Sequence, residues 1–267
     1  MNWTRLYRGV AGAATLLLFS AAVNAQGVAG SPHDLSALPL ATSNEVCVYC
    51  HTPHGADTAA PVPLWNKTLP TTTTYARYSD LNTSTLDGEE APVGSVSLAC
   101  LSCHDGVQAM DSVLNAPGSG MNSGNIAGGV RMIDIAVTPV PVLGTDLQDD
   151  HPISIQYGGG GAVESDGPGL TPAGRLRDPD FERPEMAIIN TNPAWWVDSE
   201  ATPNNSRERT DMILYTRADG PATEREPFVE CGSCHDPHNA STATASSVAF
   251  LRISNNASQI CTTCHLK

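Results

Sequence analysis

The chain has 267 residues, with 14 Lys and Arg against 28 Asp and Glu and a formal net charge of −14. An acidic chain without clustered Lys and Arg excludes nucleic acid as a partner, because neutralising phosphates needs a basic face. Gly (23) and Pro (20) far outnumber Phe and Trp, at four each, so side chains alone would struggle to bury enough apolar area to offset the entropy of ordering the backbone. The composition predicts a mostly irregular, loop-rich fold with short helices and few short strands, its interior filled by something other than side chains.

Residues 1–25 read as a secretory signal peptide. Arg5 and Arg8 make a positive start, 10–23 is a short apolar run, and Val23-Asn24-Ala25 offers small residues for cleavage. The run is too short to span a bilayer and no second one follows, so no membrane span is expected. No cysteine lies near the cleavage point, which argues against a lipid anchor. The mature chain is expected to begin near Gln26, and losing the two arginines takes the net charge from −14 to −16. Secretion to the extracellular space or cell surface follows, with the periplasm as the alternative.

The mature chain, 26–267, reads as one domain in three stretches. Residues 26–115 hold two CxxCH motifs, Cys47-Val-Tyr-Cys50-His51 and Cys100-Leu-Ser-Cys103-His104. A helix is expected around the second, over 97–113. Residues 116–230 hold no such motif, but contain His151 and two strand-like runs, 130–142 and 212–216. Prolines in the first run point to edge or irregular strands. The four glycines 158–161 suit a flexible loop or a close approach to a flat ligand. Trp195 and Trp196 suit core packing or contact with such a ligand. Residues 231–267 hold Cys231-Gly-Ser-Cys234-His235 and Cys261-Thr-Thr-Cys264-His265, with a helix expected over 258–265 and Ser258 as its cap.

All eight cysteines fall in CxxC pairs, and each pair is followed at once by His. On one helical turn, positions i, i+3 and i+4 share a face. Two thiols can then add to the two vinyl groups of one porphyrin while the imidazole points at the iron, which is the signature of covalent haem attachment. Secretion would also allow disulfides, and CxxC pairs also build zinc ribbons. Neither calls for a histidine at that position four times over. Four haem c groups are therefore expected, linked by thioethers at Cys47, Cys50, Cys100, Cys103, Cys231, Cys234, Cys261 and Cys264, with His51, His104, His235 and His265 as proximal ligands.

Four histidines remain, His33, His54, His151 and His238, and four irons need four sixth ligands. The balance predicts bis-His, low-spin haems of rather low potential and leaves methionine unneeded. His54 and His238 each lie three residues beyond a proximal histidine, in Cys-His-Thr-Pro-His and Cys-His-Asp-Pro-His. Three residues do not carry a backbone around a porphyrin, so neither should serve the haem of its own motif. Each should reach another haem and hold two haems close together. With no iron position open, enzymatic chemistry at the haem is not expected.

The segments Ser31-Pro-His33-Asp-Leu, 45–55 (EVCVYCHTPHG), Pro63-Leu-Trp-Asn66, 100–106 (CLSCHDG), His151-Pro152, 231–238 (CGSCHDPH) and 250–267 together resemble the OmcE-like tetrahaem cytochromes that polymerise into extracellular nanowires. That resemblance implies a continuous haem chain, alternately stacked and perpendicular, with one axial ligand donated across each subunit boundary. By analogy His54 is the donated ligand, His33 serves the first haem, and His151 and His238 serve internal haems. The implied partners are further copies of the chain, head to tail, and other multihaem cytochromes as electron donor or acceptor. A soluble periplasmic tetrahaem shuttle is the alternative.

If haem supplies the interior, protein produced without haem attachment should melt without a cooperative transition, which calorimetry or circular dichroism on haem-free material would read directly.

Overall fold

The computed structural model describes residues 27–118, 124–135, 141–163, 173–202, 204, 206–219, 225–240 and 250–266. The expected signal peptide lies outside them. Nine strands occur in chain order: β1 Ser112–Val113, β2 Gly124–Asn125, β3 Ile155–Gln156, β4 Ala162–Val163, β5 Ala173–Gly174, β6 Glu185–Ile189, β7 Asn192–Val197, β8 Met212–Thr216 and β9 Pro227–Val229. The α-helices are α1 Ser95–His104, α2 Cys231–Cys234 and α3 Gln259–Thr262.

The main feature is an antiparallel five-stranded sheet, ordered β3-β9-β8-β7-β6. It forms almost wholly from the stretch without CxxCH motifs, where the sequence showed only one of its strands, 212–216. β7 lies between β6 and β8, with Trp195 opposite Met186 and Leu214, and Trp196 opposite Glu185 and Ile213. Alternate side chains of a strand point to opposite faces. On one face Met186, Trp195, Val197, Met212 and Leu214 join Tyr157, Ala162, Leu176 and Ile253 in a core against which Cys234 and Cys264 pack. Trp195 is fully buried, and its indole N–H donates to Arg225 O at 2.9 Å. The tandem tryptophans are thus core residues of a strand.

Two smaller clusters support the first two motifs. Trp65, Leu69, Tyr75, Leu98, Ala99, Leu101 and Leu147 form one, and Val48, Tyr49, Val113, Ile126 and Ala127 the other. Cys50 packs against both. The described chain therefore has side-chain cores, contrary to the expectation that side chains would contribute little.

Helix α1 stops at His104, well short of residue 113. Asp105 N still bonds to Leu101 O at 3.1 Å, and then Gly106 turns at φ +74°, a left-handed geometry that ends helices and favours glycine. At the other end of the chain α3 spans only four residues, and Ser258 sits at φ +61° without a capping hydrogen bond from its side chain. The run 130–142 is not a strand where described. Arg131 bridges to Ala109, Met132–Asp134 is a 3-10 turn, and residues 136–140 lie outside the described set. Gly158 to Gly161 all have positive φ, from +55° to +94°, and the first three are buried. Leu176 crowds Gly158 and the Gln156 side chain crowds Gly160, so this is a tight interior turn rather than a flexible loop.

Replacing Trp195 with Ala should cost about 3–5 kcal/mol by emptying the sheet core, measurable as a lowered urea midpoint in the purified protein.

Candidate haem-binding site

Each CxxCH segment forms one helical turn. The histidine N–H reaches back to the carbonyl of the first cysteine in His51→Cys47 (2.8 Å), His235→Cys231 (3.0 Å) and His265→Cys261 (2.9 Å), while His104 ends α1 itself. Positions i, i+3 and i+4 of such a turn share a side. All eight cysteines are free thiols. Among the described residues no group of three or more His, Cys, Asp or Glu converges as a metal cluster.

The imidazoles meet in couples instead. His51 lies against His238, ring centres 6.1 Å apart and planes 22° apart. His104 faces His33 at 6.2 Å and 75°, and His265 faces His151 at 6.5 Å and 63°. An imidazole binds a metal through nitrogen at about 2 Å with its ring centre about 1 Å further on, so two rings on opposite sides of one metal have centres roughly 6 Å apart. Every couple joins one CxxCH histidine to one of the four extra histidines. His238 meets a histidine from a different motif. His33 faces the histidine of the second motif, His238 that of the first and His151 that of the last. The remaining CxxCH histidine is His235, and the remaining extra histidine is His54, whose imidazole is exposed.

Hydrogen bonds orient these rings. Nδ1 of His51 contacts Pro63 O at 2.8 Å, that of His104 contacts Pro141 O at 2.8 Å, that of His151 contacts Pro152 O at 3.0 Å, and that of His33 contacts Pro237 O at 3.5 Å. A carbonyl on Nδ1 selects the tautomer that leaves the Nε2 lone pair for a metal. Burial, and then the neighbouring His104, pushes the His33 pKa down to about 4. Burial likewise lowers His104, and burial followed by His151 lowers His265. Neutral imidazole is the form that ligates. Aromatic rings back two of them: Phe250 stacks on His33 at 4.1 Å, and Phe181 lies 4.3 Å from His265. The indole N–H of Trp65, 6.0 Å from His51 between ring centres, is buried without an acceptor among the described residues. A haem carboxylate would satisfy it. The donor set fits haem.

The thiols run in chain order through the molecule. Burial, and then the adjacent Cys103, pushes Cys50 up to about 12. Cys100 and Cys231 share a hydrogen bond that, with burial, holds the Cys100 proton in place. Burial, and then Cys234, pushes Cys264 up to about 12. Motif one therefore adjoins two, two adjoins three, and three adjoins four.

A buried polar knot clamps the central junction. Ser97 of α1 donates to Glu230 Oε2 (2.6 Å) and accepts from Cys231 N (2.9 Å). Arg217 binds Glu230 at 2.8 Å, with side chains 2% and 0% exposed, and also reaches Pro92 O and Asp219. Sequence reading missed this knot, since Ser97 and Glu230 are 133 positions apart.

No protein-family model matches the chain, and comparison with curated proteins finds no match. Among the described residues no helix is long and apolar enough to cross a membrane.

Arg217→Met would strand the Glu230 carboxylate in the interior. A loss of about 3–5 kcal/mol is expected, read by denaturant unfolding against wild type.

Proposed function

We propose that this chain is a secreted tetrahaem c-type cytochrome that carries electrons through four bis-His haems and serves as the subunit of an extracellular cytochrome filament. The observation that carries the reading is the set of three imidazole couples at 6.1–6.5 Å, each combining a CxxCH histidine with one from elsewhere in the chain. When bound, haem supplies a reversible one-electron carrier. The chain's own residues would attach it through the eight thiols, hold its iron from both sides and fix the imidazole planes through the proline carbonyls. Bis-His ligation keeps the iron closed to substrate, which makes the protein a carrier rather than an enzyme. The side-by-side order of the thiol pairs favours a continuous relay.

The filament rests on His54. Its backbone carbonyl is tied down by Thr52 Oγ1 (2.8 Å) and Asn115 Nδ2 (2.9 Å), while its ring is exposed. A rigidly based, outward imidazole suits ligation of a haem in the next subunit. A repeated head-to-tail contact of that kind builds an open fibre. The partners would be further copies of the chain and other multihaem cytochromes.

Intact mass of the secreted protein should show four added haems, and a spectrum without them would overturn the reading. His54→Ala should retain all four, turn one of them high-spin by magnetic resonance, and abolish filaments in electron micrographs. Wild-type protein that elutes as a monomer with four low-spin haems would instead support the periplasmic shuttle.

A further inference from the structure

Phe250 holds a backbone conformation that a bulky residue seldom takes. Its φ is +63°, in the left-handed region, and its side chain is buried. Such a conformation persists where surrounding contacts impose it. Those contacts come from the third motif. Phe250 O accepts from Asp236 N at 2.8 Å, Arg252 N donates to Cys234 O at 2.9 Å, and Leu251 bridges His235 in antiparallel fashion. Asn239 Nδ2 also donates to Leu251 O at 3.0 Å. Residues 250–252 are therefore pinned along 234–239.

From that base the ring reaches a different site. It stacks on the imidazole of His33, with centres 4.1 Å and planes 13° apart. His33 in turn faces His104 of the second motif, at 6.2 Å with the planes crossed at 75°. Turning an imidazole about the axis through its metal-binding nitrogen drives one edge of the ring into whatever lies flat against it. Phe250 therefore opposes that rotation. The hydrogen bond on His33 does so less well. Its Nδ1 lies 3.5 Å from Pro237 O, at the outer limit of a hydrogen bond, whereas His51 and His104 have carbonyls at 2.8 Å. The crossing angle also differs between couples. His51 and His238 lie only 22° apart, and His265 and His151 lie 63° apart.

We propose that Phe250 is a positioning residue that fixes the plane of His33 and so holds the two imidazoles of the second site crossed, while those of the first site stay nearly parallel. The inference rests on the tetrahaem reading. Partners beyond the ligands orient the ligands themselves. With two imidazoles on one ferric iron, the angle between their planes sets the splitting of the iron orbitals that have π symmetry. Crossed rings leave two of them nearly degenerate, which gives a low-spin magnetic resonance signal of large anisotropy. Parallel rings separate them, which gives a rhombic signal. The Phe250 ring and Pro237 O both belong to the surroundings of the third motif, so the third motif sets the ligand geometry of the second.

The test is electron paramagnetic resonance of the ferric holoprotein, wild type against Phe250→Leu, Phe250→Gly and Phe250→Tyr. His33→Ala marks the signal of the second site by turning it high-spin. Leu keeps bulk without a flat face, Gly suits a φ of +63° and removes the ring, and Tyr keeps the face. The marked signal should shift toward the rhombic form or broaden in the Leu and Gly variants, with the other signals in place, and the Tyr variant should match wild type. Four low-spin haems with the marked signal unshifted in the Leu and Gly variants would overturn this inference and leave the tetrahaem reading standing. The same shift in the Tyr variant, or haem loss in both the Leu and Gly variants, would also overturn it, because the ring would then serve the fold and not the angle. Wild-type protein without four haems would instead sink the underlying reading.

Discussion

The constraint on which the structure turns is the pairing of imidazoles whose ring centres lie 6.1–6.5 Å apart, a spacing that suits a metal with a ligand on either side. One partner in each couple is local, set on a helical turn beside its two thiols. The other arrives from a distant stretch: His33 from near the start of the described chain, His151 from the middle, His238 from beyond the third motif. Closing those gaps requires the chain to fold back repeatedly. The antiparallel sheet and the Ser97–Glu230–Arg217 knot provide that return.

The division of labour between sheet and motifs gives the stretch without cysteines a purpose. Its inner face, built on Trp195 and Met212, is the wall against which Cys234 and Cys264 pack. A loop-only wrapping would leave those motifs without a rigid backing. Proline carbonyls contribute at the same level. A proline cannot donate a backbone hydrogen bond and has a fixed φ, so a carbonyl at Pro63, Pro141, Pro152 or Pro237 is presented from a stiff segment.

Legibility in the sequence followed distance along the chain. The four CxxCH turns were readable because thiols and imidazole lie within five consecutive residues and one helical period relates them. Strand β8 was readable as a β-branched and aromatic run, and the even count of histidines singled out the extra four. The couples were not readable: His33 with His104 and His151 with His265 depend on how loops close, which no local spacing encodes. The sheet was hidden by prolines at 193 and 227 and by the polar links between its strands. The sequence by itself determined the residues and the helical geometry of each local turn. Only the tertiary structure decided which turns face one another, because pairing between distant segments is set by packing over the whole chain.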